Sequence, residues 1–278
     1  MSFSADWLSL REPADHAARA SGLLAAVATY FAGRATIDVV DLGCGTGSNL
    51  RGTAPALPAR QHWRLVDHDP LLLAAARERV IHWADAAQMD GTALELTKAG
   101  KSLRVTFAQA DLAGDPAAVI GNGADLVTAA ALFDLVSADW IARFVAQLSA
   151  RRLPLYTVLT YDGREQWTPP HPADAAMLAA FHAHQATDKG FGPAAGPAAC
   201  RLMAAAFAAA GYAVAEAPSP WRIGRDMAEL AGELTAGFAD AVRETGLVAA
   251  TSIDDWLAAR RRGVVCEVGH QDLFAHPR

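Results

Sequence analysis

The residues best suited to hold a ligand are three glycines that alternate with other residues directly after an acid. Residues 37–50 read I-D-V-V-D-L-G-C-G-T-G-S-N-L, in which Asp41 precedes Gly43, Gly45 and Gly47. Glycine has no Cβ, so a turn built from it lets the backbone approach a ligand closely and adopts φ/ψ values that other residues resist. The pattern indicates a site for a nucleotide-like ligand.

A second group of reactive side chains lies in residues 182–197, H-A-H-Q-A-T-D-K-G-F-G-P-A-A-G-P. A helix from about residue 173 would place His184 on its apolar stripe and Asp188 one turn further on. Imidazole and carboxylate groups act as general acids and bases, so we predict that His184 is an acid/base or acceptor-binding residue and Asp188 its partner. The alternative is a hydrogen-bonded histidine at the edge of the core, followed by a helix-ending turn.

Three further residues are candidates for binding a substrate. His182 would point away from the stripe that carries His184, and Lys189 could bind an anionic group. Arg11, in the N-terminal segment with Trp7, marks another place where an acceptor could bind. We expect the loop over residues 182–197 to close the ligand cavity, because ligands of open parallel sheets sit beyond the carboxyl ends of the strands.

The elements that position the glycine turn form a predicted strand–helix–strand unit. The β-branched run before the glycines is typical of a buried strand, and the next apolar run, H-W-R-L-V-D, ends at Asp67. This acid follows the glycine turn by about 20 residues, where doubly wound folds place a carboxylate that binds ribose hydroxyls. Asp67 could instead cap the turn. Asp69 directly precedes Pro70, which favours Asp69 as the N-cap of a helix.

The glycine pattern is G-x-G-x-G, because Ser48 stands where a dinucleotide fingerprint has its third glycine. The stretch resembles motif I of the class I S-adenosylmethionine-dependent methyltransferases, and the resemblance extends over roughly residues 38–163. It implies S-adenosyl-L-methionine as the cofactor, with its amino-acid end and ribose at the glycine turn. The cofactor-binding residues that it implies in this part of the chain are Asp41, Gly43, Cys44, Gly45, Gly47, Asn49, Asp67 and His68.

Two looser patterns follow in the order of that family. Q-A-D-L resembles motif III, which puts Asp111 near the adenine amino group and Leu112 against the ring, although Asp111 could simply cap a loop. A-D-L-V-T-A-A resembles motif IV, where Ala129 leaves room beside the ligand. The sequence T-A-A-A replaces the N-P-P-Y-like tetrapeptide that marks methylation of amino-nucleobases and glutamine. A small metabolite is therefore the favoured acceptor.

The resemblance implies an α/β, Rossmann-like, doubly wound seven-stranded sheet whose last strand is antiparallel, with helical additions. We predict a single methyltransferase domain over residues 1–278: a helical segment (1–34), a cofactor-binding core (35–162), an acceptor-binding loop with helices (163–262) and a last strand (263–278). Local patterns predict helices over residues 13–31 and 71–87 and a proline-rich loop over residues 163–172.

Composition excludes several classes of partner. A net charge of −6 and a pI of about 5.8 provide no basic field for nucleic acid. No apolar run has the length of a membrane span, and the first residues lack a leader pattern, so we expect a cytoplasmic protein. Cys44, Cys200 and Cys266 show no metal-ligand spacing, and we expect no metal requirement. The oligomeric state stays open.

The function predicted from the sequence is S-adenosylmethionine-dependent methyl transfer to an oxygen or nitrogen of a small-molecule metabolite. Alignment of the reacting groups can supply much of the rate, and a base is needed only for a protonated acceptor. Two alternatives are a non-catalytic S-adenosylmethionine-binding regulatory module and an NAD-dependent oxidoreductase. Ser48 in place of glycine argues against the oxidoreductase.

Overall fold

The computed structural model describes residues 3–260 and 265–278, which form ten strands and ten α-helices. The strands are β1 (Thr36–Leu42), β2 (Arg60–Asp67), β3 (Ala86–Asp90), β4 (Ala93–Lys98), β5 (Lys101–Gln109), β6 (Leu126–Ala130), β7 (Leu155–Thr168), β8 (Tyr212–Pro218), β9 (Trp221–Ile223) and β10 (Val265–Pro277). The helices are α1 (Ala5–Ala18), α2 (Ser21–Phe31), α3 (Ser48–Thr53), α4 (Pro70–Trp83), α5 (Pro116–Ile120), α6 (Ala138–Ala150), α7 (Asp174–Gln185), α8 (Ala199–Ala209), α9 (Ala228–Thr245) and α10 (Ala250–Arg260).

All ten strands belong to one sheet of order β3-β4-β5-β2-β1-β6-β7-β10-β8, with β9 paired to β10. The five central strands, from β5 to β7, are parallel, whereas β10 runs antiparallel to both β7 and β8. The order β5-β2-β1-β6-β7-β10-β8 confirms the predicted Rossmann-like arrangement with an antiparallel last strand. The predicted count of seven is wrong, because β3, β4 and β9 extend the sheet.

Side chains that alternate along the strands build a core on each face of the sheet. On β1, Val39 belongs to the cluster that includes Val80 of α4, while Val40 belongs to the cluster that includes Phe144 of α6 and Met203 of α8. A parallel strand covered on both faces needs such continuous apolar sequence. The described helices include none that is both long and apolar enough to cross a membrane.

Two predicted boundaries are wrong for local reasons. The single helix over residues 13–31 is two helices, α1 and α2, and Pro13 lies inside α1 rather than at its start. The side chain of Ser4 caps α1 by accepting a hydrogen bond from the backbone N–H of Trp7 (3.1 Å). The helix predicted over residues 71–87 ends at Trp83, because the next residues enter β3, a strand that turns back at Gly91 to pair with β4.

The proline-rich loop predicted over residues 163–172 is also wrong in its first half, because β7 continues to Thr168 by pairing with β10. Such a long-range partner leaves no local trace in residues 163–168. The predicted last strand and the helix before it reach residues 261–264, which lie outside the described residues, including Arg262 and Val264. In the described part, α10 ends at Arg260 and β10 begins at Val265.

Candidate functional site

The glycine turn follows the end of β1 and is closely covered. Gly43, Gly45 and Gly47 have φ values of +62°, +52° and +76°, a region that L side chains rarely adopt. A Cβ at Gly45 would lie 2.9 Å from Cδ1 of Leu8 in α1, and a Cβ at Gly43 would lie 3.4 Å from Cδ1 of Leu132. The backbone conformation therefore favours glycine at all three positions, and at Gly45 a larger residue would also displace the end of the Leu8 side chain.

Asp67, at the end of β2, holds this turn in place. Its Oδ2 accepts a hydrogen bond from the backbone N–H of Gly45 (2.9 Å), and its Oδ1 accepts one from that of Asp69 (3.0 Å). The residue is 4% exposed, yet it lines the cavity above the turn. Each carboxylate oxygen can accept more than one hydrogen bond, so the turn contact leaves acceptor capacity for a ligand. Asp69 caps α4 as predicted, through the backbone N–H of Leu71.

Below the turn, a buried chain of polar groups leads from Asp41 to Arg19. Asn49 donates from Nδ2 to Oδ1 of Asp41 (2.6 Å), and its Oδ1 accepts a hydrogen bond from Nη2 of Arg19 (2.8 Å). Oδ2 of Asp41 and Nε of Arg19 are buried without a hydrogen-bond partner among the described residues. Burial raises the pKa of Asp41 to about 7. Unsatisfied buried polar atoms of this kind indicate a ligand or water that completes the network.

A cavity of about 340 Å³ lies over the turn, within the size range of sites that enclose small molecules. It opens at the carboxyl ends of the parallel strands, where such sheets bind ligands. The sequence-predicted residues that line it are Arg11, Gly43, Cys44, Gly45, Asn49, Asp67, His68, Asp111, Leu112 and Lys189. Asp41, Gly47 and Ala129 are absent from the lining, although Ala130, the residue after Ala129, belongs to it.

Asp111 and Leu112 reach the cavity from the loop after β5. Oδ1 of Asp111 accepts a hydrogen bond from the backbone N–H of Ala113 (2.9 Å), so this acid caps the loop as well as lining the cavity. The carbonyl of Leu112 accepts a hydrogen bond from the buried indole N–H of Trp140 (2.8 Å). The loop is therefore fixed to α6, and the position of both side chains is set by that contact.

Besides the sequence-predicted Arg11, helix α1 and its C-cap supply three cavity residues that the sequence did not identify, Leu8, Asp15 and Arg19. Leu8, Arg11 and Asp15, together with the C-cap residue Arg19, recur at intervals of three or four residues and line the cavity. The same helix is tied to α3, since Arg51 donates to both carboxylate oxygens of Glu12 (2.9 and 2.6 Å). The intervals of three and four residues are present in the sequence. They were missed because the helix was predicted to start at Pro13, whereas α1 begins at Ala5.

Arg11 and Asp15 form a pair that joins α1 to β9. Arg11 donates to Asp15 through Nε (3.0 Å) and Nη2 (3.2 Å), and the indole N–H of Trp221 donates to the same carboxylate (3.0 Å). The guanidinium carbon lies 5.0 Å from the centre of the Trp221 ring, within range of a cation–π contact. These contacts fix the orientation of Arg11 at the cavity wall.

Two non-glycine residues of the lining have positive φ, Ala131 (+50°) after β6 and Leu159 (+60°) within β7. The backbone N–H of Leu159 donates to Oδ1 of the fully buried Asp272 (2.9 Å), whose Oδ2 accepts from the N–H of Ala20 (2.9 Å). Such conformations cost about 1–3 kcal/mol each and concentrate at functional sites. The carboxylate of Asp272 in β10 thus holds the backbone of two segments, Leu159 in the cavity wall and Ala20, which follows Arg19.

His184 and Asp188, the predicted acid/base pair, do not line this cavity. Nε2 of His184 lies 2.9 Å from Oε2 of Glu244 in α9, at a second surface cavity that shares Lys189 and Gly190 with the first. Oδ1 of Asp188 accepts hydrogen bonds from the backbone N–H groups of Gly190 (2.7 Å) and Gly192 (2.9 Å), which is the geometry of a turn. Both residues line this second cavity, but their hydrogen bonds go to other partners among the described residues, and their catalytic role stays a prediction.

His182 also lies away from the cavity lining, whereas the loop after α7 reaches it. Nε2 of His182 is 3.1 Å from the hydroxyl of Tyr161, and burial lowers the pKa of the imidazole. Residues 189–191 of the loop contribute to the lining. Within the described ranges, no three His, Cys, Asp or Glu side chains are arranged to hold a metal ion, and the three cysteines are unpaired thiols.

The sequence matches no family model, and no curated protein is significantly similar to it. Among solved structures, the YcgJ protein from Bacillus subtilis is similar at 14% identity, with a TM-score of 0.49 over 93% of this chain and 100% of that one. The cyclopropane synthase MmaA2 from Mycobacterium tuberculosis gives 13% identity and 0.46 over 92% and 83%. A SAM-dependent methyltransferase from Geobacter sulfurreducens, in complex with S-adenosyl-L-homocysteine, gives 16% and 0.45 over 95% and 93%. These are distant similarities, and the assignment of the fold rests on this chain's own strand order.

Proposed function

We propose that this chain is a class I S-adenosylmethionine-dependent methyltransferase that methylates an oxygen or nitrogen of a small-molecule metabolite. One observation carries the proposal: the glycine turn after β1, Asp67 after β2 and Asp111 after β5 line one cavity at the carboxyl ends of the strands. Ligands of open α/β sheets bind at this edge. The net charge of −6 favours a small acceptor over nucleic acid.

The residues present suit S-adenosylmethionine. Asp67 offers carboxylate oxygens to ribose hydroxyls, while Asp111 and Leu112 offer an acceptor and an apolar surface to adenine. Arg19 has a buried Nε without a partner among the described residues, which suits the carboxylate of the methionine end. Asp41 lies outside the cavity lining at the far end of the same polar chain, where it orients Asn49, a lining residue whose Nδ2 donates to its Oδ1. When bound, the cofactor supplies an electrophilic methyl group on a positively charged sulfur.

The chain itself contributes alignment and exclusion of water. Leu8 of helix α1 packs over the glycine turn. Residues 189–191, in the loop after α7, line the same cavity. Holding two reactants in a productive geometry can remove about 7–11 kcal/mol of a barrier. The strained backbone at Ala131 and Leu159 gives two walls of the cavity a fixed shape.

One contact argues against an NAD-dependent oxidoreductase. Dinucleotide-binding folds seat a phosphate at the N-terminus of the helix after the glycine turn. Here that helix is α3, and its first residue, Ser48, is within hydrogen-bond distance of His16, with 3.0 Å between Oγ and Nε2. The position is therefore occupied by a side chain of α1.

Calorimetry followed by a transfer assay tests the proposal. We expect S-adenosylmethionine and S-adenosylhomocysteine to bind and NAD to show no heat of binding. Incubation with methyl-labelled cofactor and a metabolite extract should then yield labelled small molecules. Binding without transfer to any fraction would favour the regulatory module, and binding of NAD alone would reject the proposal.

A further inference from the structure

Two of the cations that line the cavity, Arg19 and Lys189, have no carboxylate within ion-pair distance among the described residues. Nζ of Lys189 donates to the hydroxyl of Thr187 (2.8 Å), and no carboxylate of the described residues lies within ion-pair distance of it. The neighbouring Asp188 is engaged with the backbone of its own turn. The hydrogen bond from Lys189 to Thr187 is exposed to solvent, and Lys189 lines the second cavity together with Thr187 as well as the first. The flexible side chain of Lys189 can therefore exchange the threonine hydroxyl for an anionic ligand in the first cavity.

The charges of the lining indicate what such a ligand carries. The cationic lining residues are Arg11, Arg19 and Lys189, and the anionic ones are Asp15, Asp67 and Asp111. On the function proposed above, Arg19, Asp67 and Asp111 serve the cofactor, whose sulfonium adds a positive charge. Arg11 and Asp15 compensate each other. The three cations and three anions of the lining cancel, whereas S-adenosylmethionine carries one net positive charge, because it has a sulfonium and an ammonium group but a single carboxylate. The loaded cavity is therefore positive by one charge, which favours a negatively charged acceptor.

Arg11 can take part in holding that charge. It uses Nε and Nη2 for Asp15, while Nη1 has no hydrogen-bond partner among the described residues. Its orientation is fixed by Asp15 and by the face of Trp221, so little side-chain entropy is lost when it binds an anion. Leu135, Leu159 and Phe191 line the same cavity and offer apolar surface for the body of a ligand.

We infer that the methyl acceptor is a small organic anion, with an apolar body and a carboxylate or phosphate group held by Lys189 and Arg11. This inference rests on the proposed function and narrows its substrate class. It also gives the loop after α7 a specific task, which is to bring a cation to the cavity together with the apolar ring of Phe191.

A binding experiment with defined probes tests this without knowledge of the natural acceptor. Protein saturated with S-adenosylhomocysteine is titrated with benzoate, phenyl phosphate and benzamide, and binding is followed by ligand-observed NMR. We expect at least one anion to bind about tenfold or more tightly than benzamide, the range for a hydrogen bond to a charged group. Comparing benzoate with phenyl phosphate identifies which anionic group the site prefers.

Substitutions at Lys189 give the decisive contrast. Lys189→Met should remove most of the preference for the anion, Lys189→Arg should retain it, and affinity for S-adenosylhomocysteine should stay the same in both. Arg11→Lys, which keeps the charge but loses the fork, should weaken anion binding in part. Lys98→Met is the matched control, because Lys98 pairs with Asp85 and is not part of the cavity lining.

Equal affinity for benzoate, phenyl phosphate and benzamide, or no binding of any of them, would overturn the inference, as would an unchanged preference in Lys189→Met. The proposed function would survive these results as long as S-adenosylhomocysteine binds. A protein that fails to bind S-adenosylhomocysteine would instead reject the proposed function and this inference with it. In the transfer assay, passing the extract through an anion exchanger should remove the acceptor, and transfer that persists in the flow-through would contradict the inference.

Discussion

The carboxylate of Asp67 accepts a hydrogen bond from the backbone N–H of Gly45 at 2.9 Å, so the acid after β2 and the glycine turn after β1 form one unit. The two strands are neighbours with β2 pairing parallel to β1, and their carboxyl ends meet at the same edge of the sheet. A ligand that contacts the turn therefore lies beside this carboxylate.

Asp67→Asn should weaken binding of S-adenosylmethionine by about 1.5–3 kcal/mol, the range for a hydrogen bond to a charged group. Asparagine preserves the size of the side chain but replaces one acceptor oxygen by a donor. Calorimetry measures the change. Asp38→Asn is the control, because Asp38 lies on β1, is half exposed and pairs with His62 outside the cavity lining. Equal affinity of the Asp67 variant and the wild type would show that ribose binding does not use this group.

Gly45→Val should abolish cofactor binding. The new side chain would begin 2.9 Å from Cδ1 of Leu8 and would require a φ of +52°, so the turn and the Leu8 side chain must shift at the wall of the cavity. Gly91→Val controls for backbone strain, because Gly91 has a φ of +60° and a Cβ at this position would meet no atom within 4 Å among the described residues. Both variants should lose some thermal stability, but only the first should lose affinity. If both variants lost affinity for the cofactor, the loss would result from backbone strain in general and not from the position of Gly45 at the cavity.

Arg19→Met should lower the affinity for S-adenosylhomocysteine by about tenfold or more, because it removes a charged hydrogen-bond donor for the ligand carboxylate. Methylthioadenosine has no amino-acid end, so its affinity should change little. Competition binding with both ligands measures the contrast. A parallel loss for the two ligands would mean that Arg19 acts through Asn49 and Thr53, which accept its other hydrogen bonds.

Asp41 should make the unliganded protein less stable as the pH rises from about 4 to about 7. Burial raises the pKa of Asp41 to about 7 from an ordinary 3.8, so the folded state binds this proton more tightly than the unfolded state does. The stabilisation is therefore complete below the unfolded value and is lost as the pH rises through the folded one. Asp134 and Glu165, whose pKa values burial raises to about 6 and about 8, act in the same direction. His270, whose pKa burial lowers to about 3, acts in the opposite direction, so the comparison with Asp41→Asn isolates the contribution of Asp41.

Urea unfolding at pH 5 and pH 8 checks this dependence on pH. Asp41→Asn should flatten it by an amount of the order of a few kcal/mol, because its amide does not titrate. Asp139→Asn, an exposed substitution in the first turn of α6, serves as the control. An unchanged difference between the two pH values in Asp41→Asn would assign the dependence to the other buried carboxyl groups.

His184→Gln should leave the rate of methyl transfer within about twofold of the wild type, because a group must lie within hydrogen-bond reach of the proton it moves. The imidazole instead contacts Glu244 outside the cavity lining. Single-turnover kinetics with the labelled cofactor measures the rate. A fall of about 10² to 10⁴ would restore the interpretation drawn from the sequence, in which this histidine is the base.

The sequence located the glycine turn, the acid after β2 and the acid after β5 because each follows directly on an apolar strand. Their positions depend on local chain order, and parallel strands bring their carboxyl ends to one edge whatever the details of packing. The sequence also identified Lys189 and Arg11 as candidates for binding a substrate. It could not show why these two cations matter. The reason is the balance of charge across a cavity, which depends on every group that faces it.

Tertiary structure alone decided the rest. The sequence could rank His184 on an apolar stripe, but the helix that stripe packs against is α9, which brings Glu244 to the imidazole. The sequence could not show that α1 lies over the glycine turn. The contacts that hold α1 there, from Glu12 to Arg51 and from Asp15 to Trp221, join residues far apart in the chain. Local periodicity reports which residues share a face, whereas the partner of that face is chosen by packing across the whole molecule.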